Sequence, residues 1–291
     1  MRRFASALPQ GYAEAMNELE SKQARLEAEL ATVPSLVVAY SGGVDSAYLA
    51  YAAHKVLGSR MLAVTAVSAS LSQHDRGQAE ACAVELALPH EFMDTGEVSN
   101  PEYRANDPNR CFFCKDELFS KLDALADARG YAAVAYGVNL DDLADWRPGQ
   151  LAARNHQVLT PLVAAGLTKP DIRELARRAG VPVWNRPASP CLASRIAYGV
   201  EVTPERLSVV ERGEEAMRAL GFKRFRVRHH DKLARIEVAP DELPRALQPE
   251  MVRRFVEIFK TLGFTYVTLD LEGYRQGSLN SGLTKITVPA P

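Results

Sequence analysis

At 291 residues, 47% of them apolar, the chain is long enough for one substantial core and a smaller one, so two domains are expected. Its 35 basic and 36 acidic residues leave a formal net charge of −1, which removes any general attraction to polyanions or anionic membranes and argues against nucleic-acid binding. Met1–Pro9 lack the apolar run of a secretory signal, no stretch reaches membrane-spanning length and four cysteines are too few to staple such a chain, so a soluble, cytoplasmic protein is expected.

From Tyr12 to Ala31, the residues Ala15, Leu19, Leu26 and Leu30 recur at helical spacing among charged ones, predicting an amphipathic packing helix. Ser35–Tyr40 is a short β-branched apolar run that meets Ser41-Gly42-Gly43 before a helical pattern over Ser46–Leu57. The alternation continues with strands at Arg60–Val67, His90–Asp94 and Ala132–Tyr136 and helices at Gln73–Leu86 and Lys115–Arg129. Such alternation predicts βαβ units, hence an α/β fold with a doubly wound parallel sheet. Asp141–Pro161 reads as loop-rich, and Thr168, a candidate N-cap, opens a helix that Gly180 closes.

Pro182, Pro187, Pro190 and Pro204 then prevent regular helix and mark a crossing between domains. The expected division is a first domain over 1–185, a Pro-rich segment carrying Cys191 over 186–203, and a small α/β domain over 204–291. That last domain is read as helices at Pro204–Leu220 and Pro249–Leu262 with strands at Lys223–Val227, Ala234–Val238 and Tyr266–Leu271.

Ser41-Gly42-Gly43-Val44-Asp45-Ser46 lies where an apolar strand turns into a helix, so backbone N–H groups and the helix N-terminus can face a phosphate together. The glycines permit close approach, and Ser41 and Ser46 supply hydroxyl donors. The loop has neither the Gly-Lys-Ser/Thr ending of a Walker A motif nor the Gly-x-Gly-x-x-Gly of dinucleotide folds. It resembles the PP-loop of the N-type ATP pyrophosphatases, which implies ATP cleavage between the α and β phosphates and a fold like the adenine nucleotide alpha hydrolases. Gly137-Val138-Asn139-Leu140-Asp141-Asp142 follows a predicted strand, which puts Asn139 and Asp141 at a strand's C-terminal end, where open α/β sheets bind ligands. Taken alone that segment reads as a turn; beside the loop it reads as part of a nucleotide site.

Cys111-Phe112-Phe113-Cys114 and the distant Cys191 form a set of three. Three cysteines leave a tetrahedral zinc site incomplete, whereas on a [4Fe-4S] cube they leave one iron open. By spacing, a redox pair, a zinc site completed by histidine and inert buried thiols stand beside that reading. Cys82, inside a helical run, reads as a small core residue. In Arg224-Phe225-Arg226-Val227-Arg228 a period of two puts three guanidinium groups on one face, and Arg226 and Arg228 suit a substrate phosphate. A solvated edge strand is the plainer alternative. Glu214, Glu215 and Glu237 are carboxylates that could hold Mg²⁺.

The PP-loop, Arg110-Cys111-x-x-Cys114-Lys115, Arg147-Pro148-Gly149, Lys169-x-Asp171-Ile172-Arg173 and Cys191-Leu192-Ala193-Ser194-Arg195 together resemble the LarE family, as do Arg226-Val227-Arg228-His229-His230, Ala234-Arg235-Ile236-Glu237 and Tyr274-Arg275-x-Gly277-Ser278. The likeness covers nearly the whole chain. It implies ATP- and Mg²⁺-dependent adenylation of pyridinium-3,5-biscarboxylic acid mononucleotide, followed by sulfur insertion toward a nickel-pincer nucleotide cofactor. It also implies Arg195 among the cofactor-binding residues and favours Glu237 over the other glutamates for Mg²⁺. In one branch of the family the cysteine matching Cys191 is the sacrificed sulfur donor; in the other, three cysteines hold a [4Fe-4S] cluster whose extra sulfide is delivered. With Cys111 and Cys114 present, the sequence resembles the cluster branch. A sulfide source, the substrate-making and nickel-inserting proteins of the pathway, and a homo-oligomer, a hexamer in the family, are the implied partners. A PP-loop tRNA thiolase and a zinc-holding nucleotide sensor without turnover are the competing readings.

Overall fold

The computed structural model describes residues 10–144, 148–275 and 278–279; Met1–Pro9, Arg147 and Gly277 lie outside the described residues. In chain order the first elements are α1 (Gln10–Ala31), β1 (Leu36–Ala39), α2 (Val44–Leu57), β2 (Met61–Val67), α3 (Gln73–Glu85), β3 (His90–Asp94) and α4 (Pro101–Arg104). There follow α5 (Arg110–Arg129), β4 (Ala133–Tyr136), α6 (Pro148–Asn155), α7 (Pro161–Ala164) and α8 (Lys169–Arg178). The last are α9 (Pro204–Ala219), β5 (Phe225–His230), β6 (Leu233–Val238), α10 (Leu243–Ala246), α11 (Pro249–Thr261) and β7 (Tyr266–Leu269). Among the described residues no helix is long and apolar enough to cross a membrane.

The chain forms two compact units. The first comprises residues up to Val67, Gln73–Thr95 and Cys111–Ser189; the second comprises Ser68–Ser72, Gly96–Arg110 and the chain from Pro190 onward. In the first, four parallel strands run in the order β3-β2-β1-β4. All four residues of β1 are buried, as an apolar run with helices on both faces requires. Leu36 and Val38 join one core with Leu26, Leu30, Leu49 and Leu175, while Val37 and Ala39 join another with Phe119, Leu122 and Ala153. The sheet is thus covered on both faces, the α/β architecture that the alternation predicts. Each fully buried leucine in these layers stabilises the fold by roughly 1.5–3 kcal/mol.

Two larger differences from the sequence reading lie between Arg110 and Asn155. The helix expected from Lys115 begins at Arg110, because the Arg110 N–H already bonds the Asp107 carbonyl at 2.9 Å and nothing in Arg110-Cys-Phe-Phe-Cys interrupts a helix. Within the segment read as loop, Pro148–Asn155 is helical: Pro148 opens it, and Ala152 and Ala153 are buried.

The second unit carries a sheet in the order β5-β6-β7, with β5 and β6 antiparallel and β6 and β7 parallel. Phe225, Val227, Ile236, Phe255, Phe259 and Phe264 form its core. Strand β5 starts two residues later than expected and runs on through His229 and His230, because pairing with Ala234 and Leu233 continues to the turn at Asp231, whose φ is 54°.

Candidate functional site: a phosphate loop and an arginine face

In the first unit β1 delivers the chain into Ser41–Gly43 and α2 starts at Val44. Gly42 has a φ of 70°, and a Cβ there would lie 2.7 Å from the Ala79 Cβ on α3, so both conformation and space demand glycine. The Ser46 hydroxyl accepts from the Ser41 N–H at 3.1 Å and donates to the Gly43 carbonyl at 3.0 Å, while the Ser41 and Ser46 hydroxyls lie 3.1 Å apart. The loop is therefore shaped by its own serines, and the first N–H groups of α2 form a ready anion site.

A Cβ on Gly137 would lie 2.6 Å from the Ser46 backbone nitrogen, so the end of β4 packs directly on the start of α2. This brings Asn139, 2% exposed, beside the loop. The Asn139 Oδ1 accepts from the Asp141 and Asp142 N–H groups at 3.0 and 3.2 Å. The Asp141 carboxylate accepts from the Lys169 N–H at 2.7 Å, which joins this turn to the start of α8. Thr168 caps α8 through a capping box with Asp171, and Gly180 follows the helix at a φ of 72°. The Lys169 Nζ lies 2.5 Å from the Asp45 Oδ2. Burial raises the Asp45 pKa, against the pull of Lys169. The Asp45 Oδ1 is buried and has no hydrogen-bond partner.

One neighbour escaped the sequence reading. Arg186, in the Pro-rich stretch, donates to the Gly42 carbonyl at 3.4 Å and lies 2.5 Å from the Asp75 Oδ1, while Ser189 donates to the other Asp75 oxygen at 3.1 Å. No local pattern marks Arg186, because its partners are over 100 residues away in the sequence.

In the second unit Arg195 and Glu214, each side chain 3% exposed, form a two-pronged pair at 2.9 and 3.3 Å. Phe225 and Val227 enter the core as the alternation predicts, and Arg226 and Arg228 take the other face. The Arg226 guanidinium lies 5.1 Å from the Tyr274 ring centre, and burial, with nearby Arg195 adding to it, lowers its pKa. Arg228 donates to the Glu237 Oε2 at 2.9 Å, to the Ser194 carbonyl and to the Ser278 hydroxyl. Arg224 lies before the strand and pairs with Asp241 at the surface.

Glu237 is fully buried, and its Oε1 accepts from Arg235 at 3.0 Å and from Ser278 at 2.7 Å. Both of its oxygens thus meet cations or a hydroxyl. Where a magnesium ligand is expected, Glu237 pairs with two arginines, Arg228 and Arg235. Glu214 is likewise committed to Arg195, and of the three glutamates only Glu215 stands clear of such a pair among the described residues.

None of the four cysteines is in a disulfide. Cys111 and Cys114 sit inside α5 rather than ahead of it, three residues apart and so on one helical face, with Cys111 exposed. Cys191 is exposed at the start of the turn Leu192–Arg195. Cys82 is buried in the core as expected, and burial pushes its thiol pKa up. Among the described residues no group of three or more His, Cys, Asp or Glu side chains is gathered to hold a metal ion.

Residues 19–132 match the NAD synthase family model. The chain is 45% identical over 267 residues to an uncharacterised protein of Synechocystis, covering 92% of this chain and 100% of that one. It is 35% identical over 274 residues to the pyridinium-3,5-bisthiocarboxylic acid mononucleotide synthase of Lactiplantibacillus plantarum, covering 93% of this chain and 98% of the synthase. A weaker likeness, 28% over 240 residues, runs to an uncharacterised protein of Methanocaldococcus jannaschii, covering 82% of this chain and 90% of that one. With a phosphate loop on a parallel sheet and a likeness to the synthase along nearly its full length, the chain belongs to the LarE family of PP-loop, ATP-dependent sulfurtransferases.

Proposed function

We propose that this chain adenylates the carboxylates of pyridinium-3,5-biscarboxylic acid mononucleotide with MgATP and converts them to thiocarboxylates for the nickel-pincer nucleotide cofactor. The observation that carries the reading is the loop Ser41–Ser46, backed by Asn139 and Asp141, in a chain that aligns with the Lactiplantibacillus synthase over 93% of its length. In this reading residues 1–185 handle ATP, residues 186–203 present Cys191, and residues 204–291 bind substrate and mediate oligomerisation. The protein works in the cytoplasm as a homo-oligomer beside the pathway's substrate-making and nickel-inserting proteins.

The N–H groups of Gly42, Gly43 and the start of α2, with the hydroxyls of Ser41 and Ser46, hold the polyphosphate. Asp45, whose Oδ1 lacks a hydrogen-bond partner, takes the Mg²⁺ that arrives with ATP. A substrate carboxylate attacks the α-phosphorus and pyrophosphate leaves; the resulting acyl-adenylate is an electrophile that a bare carboxylate is not. A sulfur nucleophile then attacks the acyl carbon and AMP departs. Arg226 and Arg228 orient the substrate through its phosphate, and Arg195 supports the turn that bears Cys191. Cys111 and Cys191 are exposed and Cys114 is half-buried; by the likeness to the cluster branch of the family, these three would hold a [4Fe-4S] cluster. When bound, that cluster supplies an extra sulfide on its open iron.

The test is incubation of anaerobically purified, iron- and sulfide-reconstituted protein with MgATP, a sulfide source and the biscarboxylic mononucleotide, measuring pyrophosphate and product mass. Pyrophosphate release with a mass gain of one sulfur-for-oxygen exchange per carboxylate is expected. Release of pyrophosphate only in the presence of tRNA, with thiolated nucleosides, would sink the reading.

A further inference from the structure

Asn106 is fully buried, has a φ of 57°, and aims its Nδ2 at the carbonyls of Ile196, Ala197 and Val200 at 3.3, 2.8 and 2.9 Å. A buried asparagine in the left-handed region persists where surrounding bonds over-determine it. Its Oδ1 accepts a short hydrogen bond from Arg110, which is 6% exposed. The same Arg110 Nη1 donates to the Ala193 carbonyl at 2.8 Å. Ala193 lies in the turn Leu192–Arg195 that Cys191 opens.

Further bonds fasten the same two stretches. The Val202 N–H donates to the Arg104 carbonyl at 2.9 Å, and Arg104 lies 2.5 Å from Glu201. From the other side Arg195 donates to the Pro190 and Cys191 carbonyls, and the Ser194 hydroxyl donates to the Cys191 carbonyl at 2.7 Å. An exposed thiol therefore stands at a turn where the carbonyls of residues 190, 191, 193 and 194 accept from three buried guanidinium groups, those of Arg195, Arg110 and Arg228. Burying a guanidinium is costly unless its donors are used, so this concentration of charge under a surface turn calls for a reason.

We infer that Arg110, set by Asn106, is a positioning residue for Cys191: it fixes the turn 192–195 in the one arrangement that aims the thiol for sulfur delivery. The inference rests on the sulfur-transfer reading above. It extends that reading to a residue whose own side chain need touch neither nucleotide nor substrate.

Arg110→Met removes the donors, and Arg110→Lys keeps a cation able to reach one carbonyl. Three quantities are measured on the full-length, reconstituted protein: substrate-dependent pyrophosphate release, thiocarboxylate formation in a single turnover, and hydrogen exchange across 190–202 and across β5–β6. Arg110→Met should leave pyrophosphate release within about 2-fold of the parent and slow thiocarboxylate formation about 100-fold, the scale of an ~1 Å misplacement. Arg110→Lys should recover part of that loss. Exchange in 190–202 should quicken at least about 10-fold while β5–β6 keeps its protection. Equal loss of both chemical steps in both variants, or faster exchange spread through β5–β6, would mean a purely structural role and overturn the inference. Unchanged protection of 190–202 in Arg110→Met overturns it even if the parent protein releases no pyrophosphate, an outcome that would refute the sulfur-transfer reading separately.

Discussion

The loop Ser41–Ser46 offers an anion backbone N–H groups, shaped by two glycines and two serine hydrogen bonds of 3.1 and 3.0 Å, and six consecutive residues suffice. The β5 face offers guanidinium groups instead. Arg228 is matched by the fully buried Glu237, and Arg195 is matched by Glu214. Backbone dipoles point at a ligand without any counter-charge to maintain them, whereas buried arginines stand only while each carboxylate is in place. The first surface should therefore fail through shape and the second through unbalanced charge.

The largest effect should come from Glu237→Ala, which leaves the buried Arg228 uncompensated and Arg235 with Asp270 alone, 3.7 Å away. A loss of about 3–5 kcal/mol in denaturant unfolding is expected, as for broken buried pairs; a change under about 1 kcal/mol would mean the face is hydrated rather than paired. Gly42→Ala should cost about 2 kcal/mol from the left-handed backbone and the collision with Ala79. It should also abolish ATP binding in titration calorimetry, and normal ATP affinity would refute the shape argument. Thr168→Ala removes the capping box that starts α8 and should lower stability by about 1 kcal/mol. Unchanged or higher stability would show that Asp171 holds the helix start alone.

The smallest effect is a matter of sign. Because burial raises the Asp45 pKa, the folded state binds that proton more tightly than the unfolded chain does. This contribution is present below the ordinary carboxylate range and is lost as pH climbs through the raised value. Asp45→Asn should then leave the unliganded protein as stable or up to about 1 kcal/mol more stable at pH 7, while ATP-dependent turnover falls at least about 10-fold. Lower stability for Asp45→Asn across that range would show that the Lys169 pair outweighs burial.

Much of this site is visible in the sequence because its parts are contiguous. Strand, glycine pair and helix stand in a row at Ser35–Leu57, and β1 is buried on both faces, as an unbroken apolar run implies. Thr168 and Gly180 bracket α8 for reasons local to the chain. The alternation at Phe225–Arg228 correctly sorts core from polar face. It carries no information on what neutralises the arginines, so Glu237 looks like a free carboxylate until its partners are seen.

The sequence alone determined the order of the strands and of the longer helices, the phosphate loop and the family, since these rest on periodicity, turn chemistry and short motifs. Tertiary structure decided which charges meet: Asp45 with Lys169, Asp75 with Arg186, Arg195 with Glu214, and Arg110 beneath the Cys191 turn. Each of these contacts joins residues 19 to 124 positions apart. At such separations no backbone period couples the partners, and only the packed fold selects them.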